Sequence, residues 1–300
     1  MMVKSARLIA VLQALLVTFL WSTSWVLIKI GLAELPALTF AGLRYVLAFL
    51  SLLPVFMHSH GQAALRRISR AQWLRLLLLG ITFYTLTQGA QFLSLAYLPA
   101  VTVNMLLSFT SVLVALAGML LLAERPSGLQ WAGVAVSIGG ALLFFYPVQI
   151  PAAQAIGWAA ALVGVAANAA ASLLGRSLNR RGDLHPLTVT VISMGIGSIL
   201  LLASGLLVQG LPPIRPLGWL IIAWLALVNT AFAFVLWNLT LRTLSATESS
   251  VINNSMLVQI PILAVIFLGE ALSARQVIGL VVALAGILAV QLGKRVQKER

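Results

Sequence analysis

The amino-acid sequence predicts an all-α integral membrane protein of ten transmembrane helices, arranged as two inverted five-helix repeats. Three observations predict it: the composition, a series of apolar runs parted by short joints, and an internal match between the two halves. Of 300 residues, 61% are apolar and 8% charged, against roughly 45 to 50% and about 25% in soluble domains. A water-facing surface cannot be built from so few charges. The formal charge of +13 would point to nucleic acid in a soluble chain. Here the basic residues sit in short clusters between apolar runs, as flanks of membrane spans do, so the lipid bilayer is the expected partner and nucleic acid is not. No cysteine is present, which removes disulfides, thiol nucleophiles and thiolate metal sites. His58, His60 and His185 fall at or beyond run ends, so neither metal nor cofactor is expected, and no catalytic constellation suggests an enzyme.

A hydrocarbon core of about 30 Å needs about 20 helical residues. Laid along the chain, that ruler places spans at 8 to 29, 36 to 57, 73 to 97, 100 to 122, 128 to 147, 155 to 177, 186 to 209, 216 to 241, 247 to 269 and 275 to 293. Breakers or charges mark the joints: Pro36, the basic loop from His58 to Arg70, Pro99, Glu124-Arg125-Pro126, Pro147 to Pro151, Arg180-Arg181-Gly182-Asp183 and Pro212-Pro213. The first run is too long for a cleaved signal and lacks an A-x-A site, so it reads as a permanent helix. With the N terminus inside, inner segments hold Lys4, Arg7, Arg66, Arg67, Arg70, Arg75, Arg125, Arg176, Arg180, Arg181, Arg242, Lys294, Arg295, Lys298 and Arg300. The outer segments hold only Lys29, Arg215 and Arg275. That asymmetry predicts both termini to be cytoplasmic.

A shift of 146 residues lays one half on the other without a gap from Trp73 to Leu142. It pairs Trp73 with Trp219, Glu124 with Glu270, Gln130 with Gln276, Gly133 with Gly279 and Gly140 with Gly286. Matches at Trp, Glu, Gln and Gly in one register are hard to obtain from a shared leucine-rich composition. Repeats of 1–150 and 151–300 follow. Five spans being an odd number, the second copy enters from the opposite side, an arrangement common in secondary transporters.

Polar side chains within spans are costly unless they face other helices or water. In the third span Tyr84, Thr87, Gln88 and Gln91 form one stripe, which reads either as cavity lining or as interhelical glue. The fourth span repeats the spacing with Asn104, Ser108 and Ser111, and the eighth with Asn229, Ala233, Trp237 and Thr240. Asn168 and Asn253-Asn254 admit the same two readings. The first span carries Trp21-Ser22-Thr23-Ser24-Trp25, with Thr18, Ser22, Trp25 and Lys29 on roughly one face. Trp25 is readable as an interfacial anchor, and Lys29 as a cation snorkelling to the outer surface. Trp21, roughly 12 Å further in, is the better cavity residue. Arg44 lies roughly 12 Å along its helix from Pro36 and needs a partner or a wet cavity; a structural hydrogen bond and a substrate carboxylate are both open. No carboxylate falls at mid-membrane, and Glu124 and Glu270 read as caps of the helices that follow them. Pro261 removes a backbone bond and frees a carbonyl, a hinge or a static kink. Gly139-Gly140, Gly279, Ala283 and Gly286 read as close-packing surfaces.

In order along the chain, Trp21 to Trp25 with Lys29, Pro36, Arg44, Phe92 to Tyr97, Glu124, Gln130 and Gly133, and then Pro261, Gly269-Glu270, Gln276, Gly279 and Gly286, resemble the EamA branch of the drug/metabolite transporter superfamily. Within it the chain is most similar to bacterial aromatic amino-acid exporters of the YddG type. Two positions depart from the pattern: Ser22 stands where Gly is usual, and Ala115 occupies the place that matches Pro261. The resemblance implies an inner-membrane exporter with a cavity lined by helices 1, 3, 4, 6, 8 and 9. That placement agrees with the stripes above, and a small-molecule substrate is expected to meet Trp21, Ser22, Trp25, Tyr84, Gln88, Gln91, Asn104, Ser108, Asn168, Asn229, Trp237 and Asn253. Rings, amides and hydroxyls without a fixed anion suit a net-neutral amphipathic solute such as an amino acid. Export of nucleosides, sugars or organic cations, and a non-transporting membrane scaffold, are the alternatives.

Overall fold

The computed structural model describes residues 2–58, 65, 68–122, 127–181, 184–244 and 246–298, without the side chains of 2–6, 115, 118–122, 176–177, 179–181, 246–247, 250 and 293–298. Glu124, Asp183, Glu299, His60, Arg66, Arg67, Arg125 and most of the loop from His58 to Arg70 lie outside the described residues, as does the side chain of Ala115. All regular structure among the described residues is helical. It comprises α1 (Met2–Gly31), α2 (Ala37–His58), α3 (Arg70–Tyr97), α4 (Ala100–Ser108 and Thr110–Leu122), α5 (Gly128–Phe145), α6 (Ala155–Arg181), α7 (Pro186–Gln209), α8 (Pro216–Thr240), α9 (Ala246–Asn254 and Met256–Leu268) and α10 (Ala274–Lys298). Nine of these are long and apolar enough, over their described residues, to cross a membrane, and α4 adds the shorter apolar stretch Ala100–Val114. The protein is thus a multi-pass membrane protein. Helices α1, α6 and α10 run beyond their expected spans into polar, basic sequence. Hydropathy measures the segment that meets lipid, whereas the backbone ladder continues into a hydrated flank.

Local chemistry sets the ends. Ser69 with Gln72, Ser127 with Gln130 and Ser273 with Gln276 form capping-box contacts at the starts of α3, α5 and α10, satisfying first-turn N–H groups that have no intrahelical partner. Pro186 and Pro216 occupy first-turn positions of α7 and α8, where a missing N–H costs nothing. Helix α9 stops at Gly269, whose φ of 66° is left-handed and favours glycine.

Four helices are irregular inside. A π-helical turn interrupts α3 at Gly80–Thr87 and α8 at Leu227–Phe232. The ladder breaks at Phe109 in α4 and at Ser255 in α9. The breaks, like the Ser127 and Ser273 caps, recur at the offset of the internal sequence match, and the two π-turns overlap under it.

Packing divides the chain into two compact units. One comprises Met1–Val26, Pro99–Ala155 and Leu236–Arg300; the other comprises Leu27–Leu98 and Ile156–Val235. Each draws helices from both 1–150 and 151–300, so the sequence repeat and the packed unit are different objects. In the first unit α5 packs along α10 through a glycine seam. A Cβ on Gly133 would sit 2.7 Å from the Gly286 carbonyl oxygen, and one on Gly279 would sit 2.7 Å from that of Gly140. A Cβ on Gly139 would meet nothing within 4 Å among the described residues, so the close contact expected of Gly139-Gly140 belongs there to Gly140. One helical step of 100° turns the adjacent residue off the seam. In the second unit α2 packs on α7, with Gly42 against the Leu202 backbone and Gly205 against Thr39. The α3 π-turn approaches α7 through Gly80 and Gly197.

Candidate functional site

The residues singled out above divide between the units, and each group is built within its own.

In the first unit, α1 and α9 meet through a chain of short polar side chains. The Ser22 hydroxyl is shared between the Thr18 carbonyl at 2.8 Å and Gln259 Oε1 at 2.9 Å. Gln259 Nε2 donates to Ser255 Oγ at 2.8 Å and reaches Thr18 Oγ1 at 3.4 Å. Thr18 and Ser22 are fully buried, so the network replaces water as their partner. Directly before Ser22 on α1, Trp21 brings its ring to 5.3 Å from that of Trp237, at 50°, which gathers two of the expected site residues. Trp25 is only 7% exposed, which a lipid-facing anchor would not be. On α4, Ser108 donates to the Met105 carbonyl of its own helix, while Asn104 Nδ2 is enclosed and has no hydrogen-bond partner among the described residues. Of the two amides in α9, Asn254 donates to Gln291 Oε1 at 2.9 Å and ties α9 to α10, whereas Asn253 is exposed. Pro261 is buried inside a helical run that continues past it. The interruption of α9 is at Ser255, six residues earlier, whose side chain belongs to the polar network.

In the second unit the α3 stripe keeps to one side of its helix through the π-turn: Tyr84, Thr87 and Gln88 are buried and Gln91 is half-buried. Adjacent residues of α2 then reach two different helices. The Tyr45 hydroxyl donates to Gln88 Oε1 at 2.6 Å, at the end of the α3 π-turn, and its ring lies 5.7 Å from that of Tyr84. Arg44 Nε donates to Thr230 Oγ1 at 3.0 Å, inside the α8 π-turn. The Thr230 hydroxyl in turn donates to the Leu225 carbonyl, five residues back, at 2.8 Å. Arg44 is 5% exposed, and its guanidinium carbon lies 5.1 Å from the Tyr45 ring centre and 5.9 Å from that of Phe92, within cation–π range. Asn229 is buried in the same π-turn and Asn168 is half-buried on α6.

Sequence reasoning missed Tyr45, Thr230, Ser255 and Gln259. Tyr45 follows Arg44 directly, and Gln259 stands one turn from Ser255, a weak signal in hindsight. Thr230 carried none, since its partner is 186 residues away.

The described carboxylates all sit at helix ends, each engaged. Glu34 pairs with Arg215 at 3.1 Å, and Glu248 pairs with Arg7. Glu270 corrects an expectation: it does not cap α10, the helix that follows it. Its Oε1 accepts from the Ala100 N–H at 2.6 Å and its Oε2 from that of Val101 at 3.1 Å, so it caps α4, while Ser273 and Gln276 serve α10. The left-handed turn at Gly269 precedes Glu270, and the short side chain of Ser273 already occupies the local cap. Glu124, its counterpart in the first half, lies outside the described residues.

Rings, amides, hydroxyls and one guanidinium equip these groups to hold an amphipathic solute by stacking and hydrogen bonds. The EamA-like transporter family model matches residues 8–146 and again 155–292, at the spacing of the internal repeat. An uncharacterized transporter of Archaeoglobus fulgidus is 27% identical over 284 residues, 91% of this chain and 93% of the relative. A probable amino-acid metabolite efflux pump of Salmonella typhimurium is 27% identical over 305 residues, covering 95% of each chain. A solved crystal structure shares the fold at a TM-score of 0.67, with 18% identity over 95% of this chain and 98% of that one. With two family matches that together span nearly the whole chain, the protein is a transporter rather than an enzyme and belongs to the EamA-like transporter family, within the drug/metabolite transporter superfamily.

Proposed function

We propose that the protein is a secondary transporter that exports small, net-neutral amphipathic metabolites, with aromatic and other neutral amino acids as the substrate class. The observation that carries this reading is the chemistry of the two interior groups. Each group, taken by itself, offers rings beside hydrogen-bonding side chains: paired tryptophans with a hydroxyl–amide chain in one unit, tyrosines, amides and an arginine in the other, a chemistry that suits amphipathic solutes. The resemblance to a probable amino-acid metabolite efflux pump supports the class, and the YddG-type resemblance supports its aromatic members. The protein works in a bacterial inner membrane with both termini cytoplasmic, as the basic residues favour. Its ten spans form two inverted five-helix repeats, an architecture suited to alternating access. Pro261 and the break at Ser255 are its flexible points in α9.

All described carboxylates lie at helix ends and are engaged, so export runs down the solute gradient without obligatory proton exchange. The test is flux by purified protein in liposomes against amino acids, nucleosides, sugars and organic cations. Selective movement of neutral amino acids supports the reading, and its absence with flux of another class reassigns the substrate. Uphill accumulation under an imposed pH gradient alone would refute the uncoupled mechanism.

A further inference from the structure

We infer that the two terminal nitrogens of Arg44 are the receptor for a carboxylate on the transported solute. The inference rests on the transport reading above and specifies the group that is recognised.

Arg44 is a cation held inside a membrane helix at 5% exposure, where a charge without a counter-charge is costly. The described acidic side chains do not supply one: Glu34 is held by Arg215, Glu248 by Arg7, and Glu270 by the α4 backbone. The guanidinium makes one hydrogen bond with the described protein, from Nε to Thr230 Oγ1. Nη1 and Nη2 make none with the described residues. The side chain is nonetheless fixed in place. Thr230 is itself anchored on the Leu225 carbonyl, Tyr45 and Phe92 flank the guanidinium, and the Tyr45 hydroxyl is anchored on Gln88.

An arginine with Nε occupied and both Nη groups unpaired among the described residues presents a planar two-pronged donor, the geometry that matches the two oxygens of a carboxylate. Binding supplies a counter-charge, which the described acidic side chains do not, at a position already oriented for it, so little ordering entropy is lost on recognition. A single cation fits a monoanionic group such as the carboxylate of an amino acid, whose ammonium then faces the neutral amides rather than a fixed anion.

The experiment uses the full chain in liposomes and four probes that share one ring: L-phenylalanine, L-phenylalaninamide, phenethylamine and 3-phenylpropionate. A charge-assisted pair in a dry site corresponds to a factor on the order of 10 to 100. Wild type is therefore expected to move L-phenylalanine at least tenfold faster than the amide or the amine, with 3-phenylpropionate as a competitor. Arg44→Gln is expected to bring the acid and amide rates within about threefold, and Arg44→Lys to retain part of the preference. Thr230→Val, which removes the Nε anchor, is expected to erode the preference by a few-fold without abolishing flux. Equal wild-type rates for acid and amide overturn the inference while leaving transport intact, even if the Arg44 variants fail to fold. Unchanged preference in a folded Arg44→Gln protein also overturns it. Absence of flux for every probe together with every other neutral amino acid overturns the transport reading and this inference with it.

Discussion

Glu270→Ala tests the cap that crosses between helices. The carboxylate accepts from two first-turn N–H groups of α4, at 2.6 Å and 3.1 Å. Hydrogen bonds to a charged group are worth about 1.5 to 3 kcal/mol when well buried, and loss of an ordinary N-cap costs about 1 kcal/mol. The contacts here are partly buried, which places the loss at about 1 to 3 kcal/mol. At about 2 °C per kcal/mol for a chain of this size, the melting temperature in detergent is expected to fall by about 2 to 6 °C. Glu270→Gln, which keeps the shape but turns one acceptor into a donor facing an N–H, is expected to lose at least half of that. Hydrogen exchange locates the effect: amides at Ala100 and Val101 lose protection, while the first turn of α10 keeps it because Ser273 and Gln276 remain. A shift below 1 °C, or protection lost in α10 and not in α4, would show that Glu270 serves its own helix after all.

Neighbouring glycines of α5 and its partner helix give opposite results. Gly279→Ala places a methyl 2.7 Å from a backbone oxygen and is expected to destabilise by about 1 to 3 kcal/mol, whereas Gly139→Ala meets open space and is expected to be neutral or stabilising by up to about 1 kcal/mol. Thermal melts of the two variants decide it. Ser22→Ala and Gln259→Leu are each expected to cost about 1 kcal/mol, and the double variant less than their sum, because both break one network; strict additivity would separate the two side chains. Pro261→Ala is expected to change transport rate more than apparent affinity, and unchanged flux would leave the proline a packing role. Single cysteines at Trp21, Tyr84, Gln88 and Trp237 can be probed in a chain that has no native cysteine; labelling by a water-soluble reagent in at least one transport condition is expected, and silence at all four would assign these residues to helix contacts.

Much of the protein was determined by the sequence alone. Hydropathy needs only local composition, so the membrane class and the approximate helix positions could be read directly, and breakers such as Pro36, Pro99 and Gly269 marked the joints. The internal match, at whose spacing the family model also matches twice, was legible because Trp, Glu, Gln and Gly pairs fall in one register. The tertiary structure decided which polar side chains meet. Ser22 finds Gln259, Arg44 finds Thr230, and Glu270 finds the start of α4, across 237, 186 and 170 residues of chain. Helical periodicity gives the face on which a residue lies but not the helix that face will pack against. The π-turns and the break at Ser255 were also illegible, since π-turns and mid-helix breaks carry no strong residue signature. For the same reason Gly139 and Gly140 were equal in sequence. Only the close approach of α10, with a carbonyl oxygen of Gly279 at the Gly140 position and open space at its neighbour, made one of them indispensable.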